Sequence, residues 1–191
     1  MITPALLPAR SLDEPENTKT SPDANVIAAF FAAINRHDVA AIAELMSEDH
    51  TFIDSWGRTV SGRIEMVAAW KAYFSMFPDY EILMDTVLAE NSTVAIFGSA
   101  SGTYNGKRGL VSENRIAMPA AWKASVANGK VRLWQVYCDW TEGMRTIEED
   151  KKAASFKQSA PQTPSSDTQA AGAPGAPSLD VWLTGLFRTL G

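Results

Sequence analysis

The chain has 191 residues, 46% hydrophobic and 20% charged, which suits one ordinary globular domain with some chain to spare. A net charge of -5, with no stretch that concentrates Lys and Arg, excludes a nucleic-acid surface, because phosphates need clustered cations. A single cysteine, Cys138, excludes an intrachain disulfide and fits a reducing compartment.

In chain order, residues 1–10 hold a short apolar run broken by Pro4 and Pro8 with no cation ahead of it, so no export signal is expected. No window reaches the roughly 18 uninterrupted apolar residues of a membrane span. The expectation is therefore a cytoplasmic protein without a membrane span. Residues 1–20, with three prolines and no apolar period, predict a flexible arm. Ser21-Pro22-Asp23 then signals a helix start, and Val26, Ile27, Phe30, Phe31 and Ile34 form its apolar stripe. Asp38 can cap a short second helix carrying Val39, Ile42, Leu45 and Met46. Ser61 can cap a third, with Ile64, Val67, Trp70, Phe74 and Phe77 on one face and Pro78 as its stop.

Short strands are expected at 51–54 and near 59–60, and longer ones at 80–90, 93–104, 114–126 and 130–141. Asn128-Gly129 tolerates the positive φ angles of a tight hairpin, so the last two strands should pair. Three helices followed by a meander predict an α+β domain over 21–150, a cone-shaped curved antiparallel sheet covered by the N-terminal helices and enclosing an apolar pocket. Residues 151–177, rich in Ala, Pro, Ser and Gly, read as a disordered linker. Beyond it, over 178–191, Leu179, Trp182, Leu183, Leu186, Phe187 and Leu190 recur at helical spacing, with Asp180, Thr184 and Arg188 opposite. This short amphipathic helix either folds back onto its own domain or docks on a partner protein. Its layout resembles the terminal cargo-loading peptides that bind inside encapsulin and microcompartment shells.

Chemistry is expected around His50, Phe52 and Asp54, which a strand places on one face. If that face looks inward, Asp54 loses water and its basicity moves toward that of a general base. The alternative is a carboxylate that only caps the turn at Ser55-Trp56-Gly57. The expected pocket wall comprises Phe30, Phe52, Trp56, Trp70, Phe74, Met118, Trp122, Trp134, Val136 and Cys138, large side chains that could also be plain core. The other face of the last strand, with Gln135 and Tyr137, is expected to meet a second subunit or the tail. Lys107-Arg108 reads as a solvated turn or a lid. Two histidines without acids at ligand spacing imply no metal site.

Four segments carry a family resemblance: His37-Asp38-Val39 after the first helix, Asp54-Ser55-Trp56-Gly57, Gly62-Arg63, and Trp134-Gln135-Val136-Tyr137. With them, residues 24–141 resemble the SnoaL-like polyketide cyclases and ketosteroid isomerase relatives of the nuclear transport factor two-like superfamily. The resemblance implies a dimer-forming, cofactor-independent scaffold that holds a small apolar ligand. It also implies that Asp54 stands where isomerases keep the aspartate that moves a proton α to a carbonyl. Their oxyanion tyrosine would fall near Phe30 and their second aspartate near Ala120 or Ala121, which leaves His50 to orient or protonate a substrate. An isomerase, cyclase or dehydratase type of enzyme is the first expectation, and a non-catalytic ligand carrier or accessory protein the second.

Overall fold

The Ser21 hydroxyl accepts the Asp23 amide at 3.2 Å and, with Pro22 in the first turn, opens helix α1, Pro22–Asn35. The structure is a computed structural model that describes residues 21–158. α1 buries Ile27, Phe30, Phe31 and Ile34, the stripe its spacing predicts. Its end is pinned by the Asn35 amide, which donates to the Ile82 carbonyl and accepts from the Ile82 amide, both at 2.9 Å. His37 then adopts a φ of 53°, and Asp38 caps α2, Val39–Leu45, by accepting the Ala41 amide at 3.0 Å.

Met46, expected in that helix, is instead the first residue of strand β1, Met46–Ile53. The strand begins earlier than its local sequence suggests because it is recruited by a distant partner: β1 runs parallel to β6, Lys130–Cys138, with Thr51 opposite Leu133 and Ile53 opposite Gln135. On its other side β1 pairs antiparallel with β2, Thr59–Ser61. Ser61 therefore ends a strand, and the cap of α3, Arg63–Met76, is Gly62 at a φ of 98°. As the sequence indicates, α3 stops before Pro78.

The strands β3, Glu81–Glu90, β4, Thr93–Thr103, and β5, Arg115–Ala127, complete a six-stranded sheet in the order β2-β1-β6-β5-β4-β3. The sheet is antiparallel except at β1–β6. Asn128 and Gly129 take φ angles of 52° and 72° and turn β5 into β6. The concave face packs on α1 and α3 through Ile96, Trp122, Ala124, Val131 and Trp134. The convex face leaves Leu83, Leu88, Phe97 and Tyr137 exposed, and Phe97, Ala121 and Tyr137 stand in register across β4, β5 and β6.

After β6 the Asp139 carboxylate accepts the Thr141 amide at 2.9 Å, where helix α4, Thr141–Gln158, begins. Sequence periodicity gave no sign of α4, which extends over residues 151–158 of the expected linker. Two buried side chains fasten it. Ile147 joins a second cluster with Met76, Phe77, Tyr104 and Ile116. Asp150, fully buried, accepts the Lys107 amide at 2.5 Å, the Arg108 amide at 2.9 Å, Arg108 Nε at 3.1 Å and Asn114 Nδ2 at 3.2 Å. The Lys107-Arg108 turn is thus a cradle for a buried anion rather than a freely solvated loop. The expected N-terminal arm, the rest of the linker and the tail with Leu179, Trp182, Leu183, Leu186, Phe187 and Leu190 lie outside the described residues.

Candidate active site

The concave sheet and α3 enclose a cavity of about 390 Å³. Of the residues singled out in the sequence, Phe52, Trp56, Trp70, Met118, Trp122, Trp134, Val136 and Cys138 line it. Phe30 and Phe74 belong to the packed layer behind it. Phe30 is fully buried with its ring 5.1 Å from that of Trp134, and Phe74 is stacked between Trp70 at 5.2 Å and His37 at 4.2 Å. Both point into the core because α1 and α3 need those faces to pack on the sheet and on each other.

Asp54 follows β1 and lines the cavity while also holding its own turn. Its Oδ1 accepts the amides of Trp56 and Arg58 at 2.9 Å each, and its Oδ2 accepts Arg58 Nε at 2.7 Å. The two readings of this residue therefore coexist: the carboxylate caps the turn and faces the pocket. Three of its roughly four lone-pair positions are occupied. Arg58 in turn lies over the Trp56 ring, 4.5 Å from its centroid, and these two partly exposed side chains form the rim of the cavity.

His50 sits elsewhere. It is completely buried, does not line the cavity, and Nδ1 lies 2.8 Å from the Val131 carbonyl of β6. A carbonyl can only accept, so Nδ1 carries the proton, and Nε2 is a bare lone pair with no hydrogen-bond partner among the described residues. Burial pushes the ring below its ordinary pKa, against the opposing pull of the Val131 carbonyl and Asp49. The geometry makes His50 a neutral tie between β1 and β6, without the reach to protonate a substrate. A lowered folded pKa means that the unfolded chain binds the proton more readily. Stability should therefore fall as the pH drops below the ordinary 6.5 toward the folded value. Urea unfolding at pH 7.5 and 5.5 should show this loss in the wild type and a flatter dependence in His50→Asn; equal slopes would refute it.

The sequence gave no signal for a pair of tyrosines in the cavity wall, Tyr73 on α3 and Tyr80 just before β3. Tyr73 and Tyr80 both line it, with ring centroids 4.9 Å apart and planes at 90°. Burial, first of all, pushes both phenols above their ordinary range, and the nearby Cys138 adds to this. Both hydroxyls stay protonated, and they interact with each other, Tyr73 as donor and Tyr80 as acceptor, so Tyr80 keeps its proton for another partner. Burial likewise raises the Cys138 thiol, helped by Asp139 and Asp54 and opposed by a hydrogen bond with Ser55, so it is a poor nucleophile. Asp54, Ser55, Arg58, Thr59, Tyr73, Tyr80, Ser101 and Cys138 are the polar groups in a lining that is otherwise apolar. Spacing could not reveal the tyrosines, because an aromatic residue on α3, like Tyr73, or just before β3, like Tyr80, reads equally well as core.

Among the described residues no group of three or more His, Cys, Asp or Glu could hold a metal ion, and no helix is long and apolar enough to cross a membrane.

The fold is shared with solved structures at low sequence identity. A protein described as a SnoaL-like polyketide cyclase from Jannaschia sp. CCS1 is 19% identical, with a TM-score of 0.58, over 72% of this chain and 97% of that one. An epoxide hydrolase of the LEH-like type from M. tuberculosis is 13% identical, with a TM-score of 0.57, over 72% and 98%. A hypothetical protein of ketosteroid isomerase-like fold from Catenulispora acidiphila, solved with trimethylamine, is 18% identical, with a TM-score of 0.56, over 64% and 92%. No curated protein sequence matches the chain. The family model of the SnoaL-like domain matches residues 27–134, which span α1 to β6 and include Asp54 and most of the cavity wall, and the chain belongs to that family.

Proposed function

We propose that the protein is a cofactor-independent enzyme that moves a proton on an apolar carbonyl compound held in the cavity, with Asp54 as the base. The observation that carries this reading is a carboxylate opening onto a chamber otherwise lined almost wholly by apolar side chains. A ketone bound there would meet few competing dipoles, so its carbonyl oxygen would turn to one of the polar groups and its α-carbon toward Asp54 Oδ2. The base takes the α-proton, and charge builds on the carbonyl oxygen. Tyr80, protonated, in the same cavity and itself accepting from Tyr73, is the donor suited to meet it, a task the sequence alone assigned to His50. The backbone amides and Arg58 hold the carboxylate in one orientation, which favours a defined line of attack.

The test needs no knowledge of the natural product. In D2O, exchange of the α-protons of 2-tetralone, followed by NMR, reports proton abstraction directly. Wild-type protein should accelerate exchange, and Asp54→Asn, which keeps an oxygen for the two amides, should lower the enzymatic rate by about 10²–10⁴-fold. Exchange unchanged by Asp54→Asn would end the proposal. A second reading, a non-catalytic carrier, is favoured by the donors already gathered around Asp54. A carrier would bind 2-tetralone yet leave its exchange at the buffer rate.

A further inference from the structure

The convex face of the sheet, on the far side from the cavity, has a shape of its own. Strand alternation turns Met118, Ala120 and Trp122 of β5 toward the cavity and leaves Ala117, Pro119, Ala121 and Lys123 outward. The first three of these are short, so the middle of the face is low. Register places Phe97 of β4 and Tyr137 of β6 on either side of Ala121, and each ring is 50% exposed. Strands two apart are separated by about 10 Å, which is the diameter of an α-helix. From Ala117 to Lys123 the floor runs about 20 Å along β5. The face is therefore a trough with a floor of short side chains and two aromatic walls, and Leu83 and Leu88 of β3 stand exposed beyond Phe97.

A surface of this shape suits one rod better than a second sheet. Residues 178–191, at about 1.5 Å per residue, make a helix about 21 Å long, with the apolar stripe from Leu179 to Leu190 on one side. A helix that short is marginal in water and forms where its apolar side is covered. Residues 159–177 tether it to α4, whose Ile147 packs at the Ile116 end of β5. A tether of that length has a root-mean-square reach of about 24 Å and an extended reach of about 60 Å, enough to round a domain whose radius of gyration is about 14 Å. It also holds the segment at a local concentration in the millimolar range, which a second copy at micromolar concentration does not match.

We propose that residues 178–191 pack as a helix in this trough of their own chain, with the Leu179–Leu190 stripe against Ala121 and the rings of Phe97 and Tyr137. The segment then covers the exposed apolar side chains of the convex face and closes that face to a second copy. The proposal is independent of the chemistry in the cavity, which lies on the opposite side of the sheet.

Hydrogen exchange of the full chain, read by mass spectrometry on peptides from 178–191, tests it. In the wild type these amides should exchange at least about tenfold slower than in an unfolded chain, and light scattering should show a monomer at the same concentration. Ala121→Glu, which raises the floor, and Tyr137→Ser, which removes a wall, should each return them to the unfolded rate. Peptides from α1 and β6 report in the same experiment that the domain is still folded, and two substitutions on different strands keep the test sound if one of them unfolds it. Segment amides that exchange freely in the wild type overturn the proposal and leave 178–191 to a separate protein. Protection that survives both substitutions in a folded domain places the segment elsewhere and overturns it too. Protection that fades on dilution, together with the mass of a dimer, shows that the segment docks between copies and overturns its assignment to its own chain.

Discussion

Replacing Asp150 by alanine is expected to destabilise the domain by about 3–5 kcal/mol, the usual cost of removing one partner from a buried ionic network. The carboxylate has no exposed surface and accepts four hydrogen bonds. Asn114 is equally buried and is spent on the same network, donating to the Tyr104 and Gly109 carbonyls and accepting from Arg108. Without Asp150, two amides and a guanidinium lose their acceptor inside the protein, and α4 loses its anchor. Asp150→Asn should cost less, about 1–3 kcal/mol, because an amide oxygen can still accept while its NH2 faces other donors.

Burial alone would raise the Asp150 carboxyl, but the donors around it outweigh that and hold it below its ordinary value. Its contribution is therefore present above the ordinary carboxylate range and is lost as the pH falls through the lower folded value. This window lies below the one set by His50, so the two can be separated. Urea denaturation at neutral pH measures the effect of the substitutions. An Asp150→Ala protein within about 0.5 kcal/mol of wild type would show that the network is dispensable.

The second large effect is expected at Trp134, where substitution by alanine should cost about 3–5 kcal/mol. The residue is 1% exposed, and its ring meets Phe30 at 5.1 Å, Phe31 at 5.4 Å and Trp122 at 6.1 Å. α1 supplies the two phenylalanines and β5 the second indole, so one side chain joins the helical layer to the sheet. Trp134→Ala would merge the space it vacates with the existing cavity, and an enlarged apolar void cannot be filled favourably by water. Trp134→Phe should retain much of the stability. Equal stability of the alanine and phenylalanine variants in urea would show that α1 and the sheet are held together elsewhere.

The parts of this molecule legible in the sequence are those whose cause is local. Ser21 and Asp38 cap helices with their own side chains, Asn128-Gly129 makes its own turn, and Pro78 limits α3 without outside help. Asp54, Trp122, Trp134 and Val136 could be assigned to one chamber because strand alternation is a local rule too. What escaped depends on partners far along the chain. β1 starts at Met46 because β6 is there to pair with it. α4 has no continuous apolar stripe and is fixed by Ile147 and Asp150 through contacts with residues 104–116. His50 looked like a site residue because it shares a strand face with Asp54, yet the Val131 carbonyl claims its proton. Tyr73 and Tyr80 carried no distinguishing pattern at all.

The parallel pairing of β1 with β6 also governs the order in which the protein can be built. His50 and Val131, bonded across that seam, are 81 residues apart, whereas the hairpins β3–β4, β4–β5 and β5–β6 join neighbours in sequence. Closing so long a loop carries an entropic cost before any contact offsets it, so this seam should form late and slowly. A partly folded chain can already contain the helices and the β3–β6 meander while Asp54 still hangs free of the sheet. With the seam closing last, the carboxylate would acquire its chamber only at that step, and a chain still lacking it would offer a ligand nothing to stabilise.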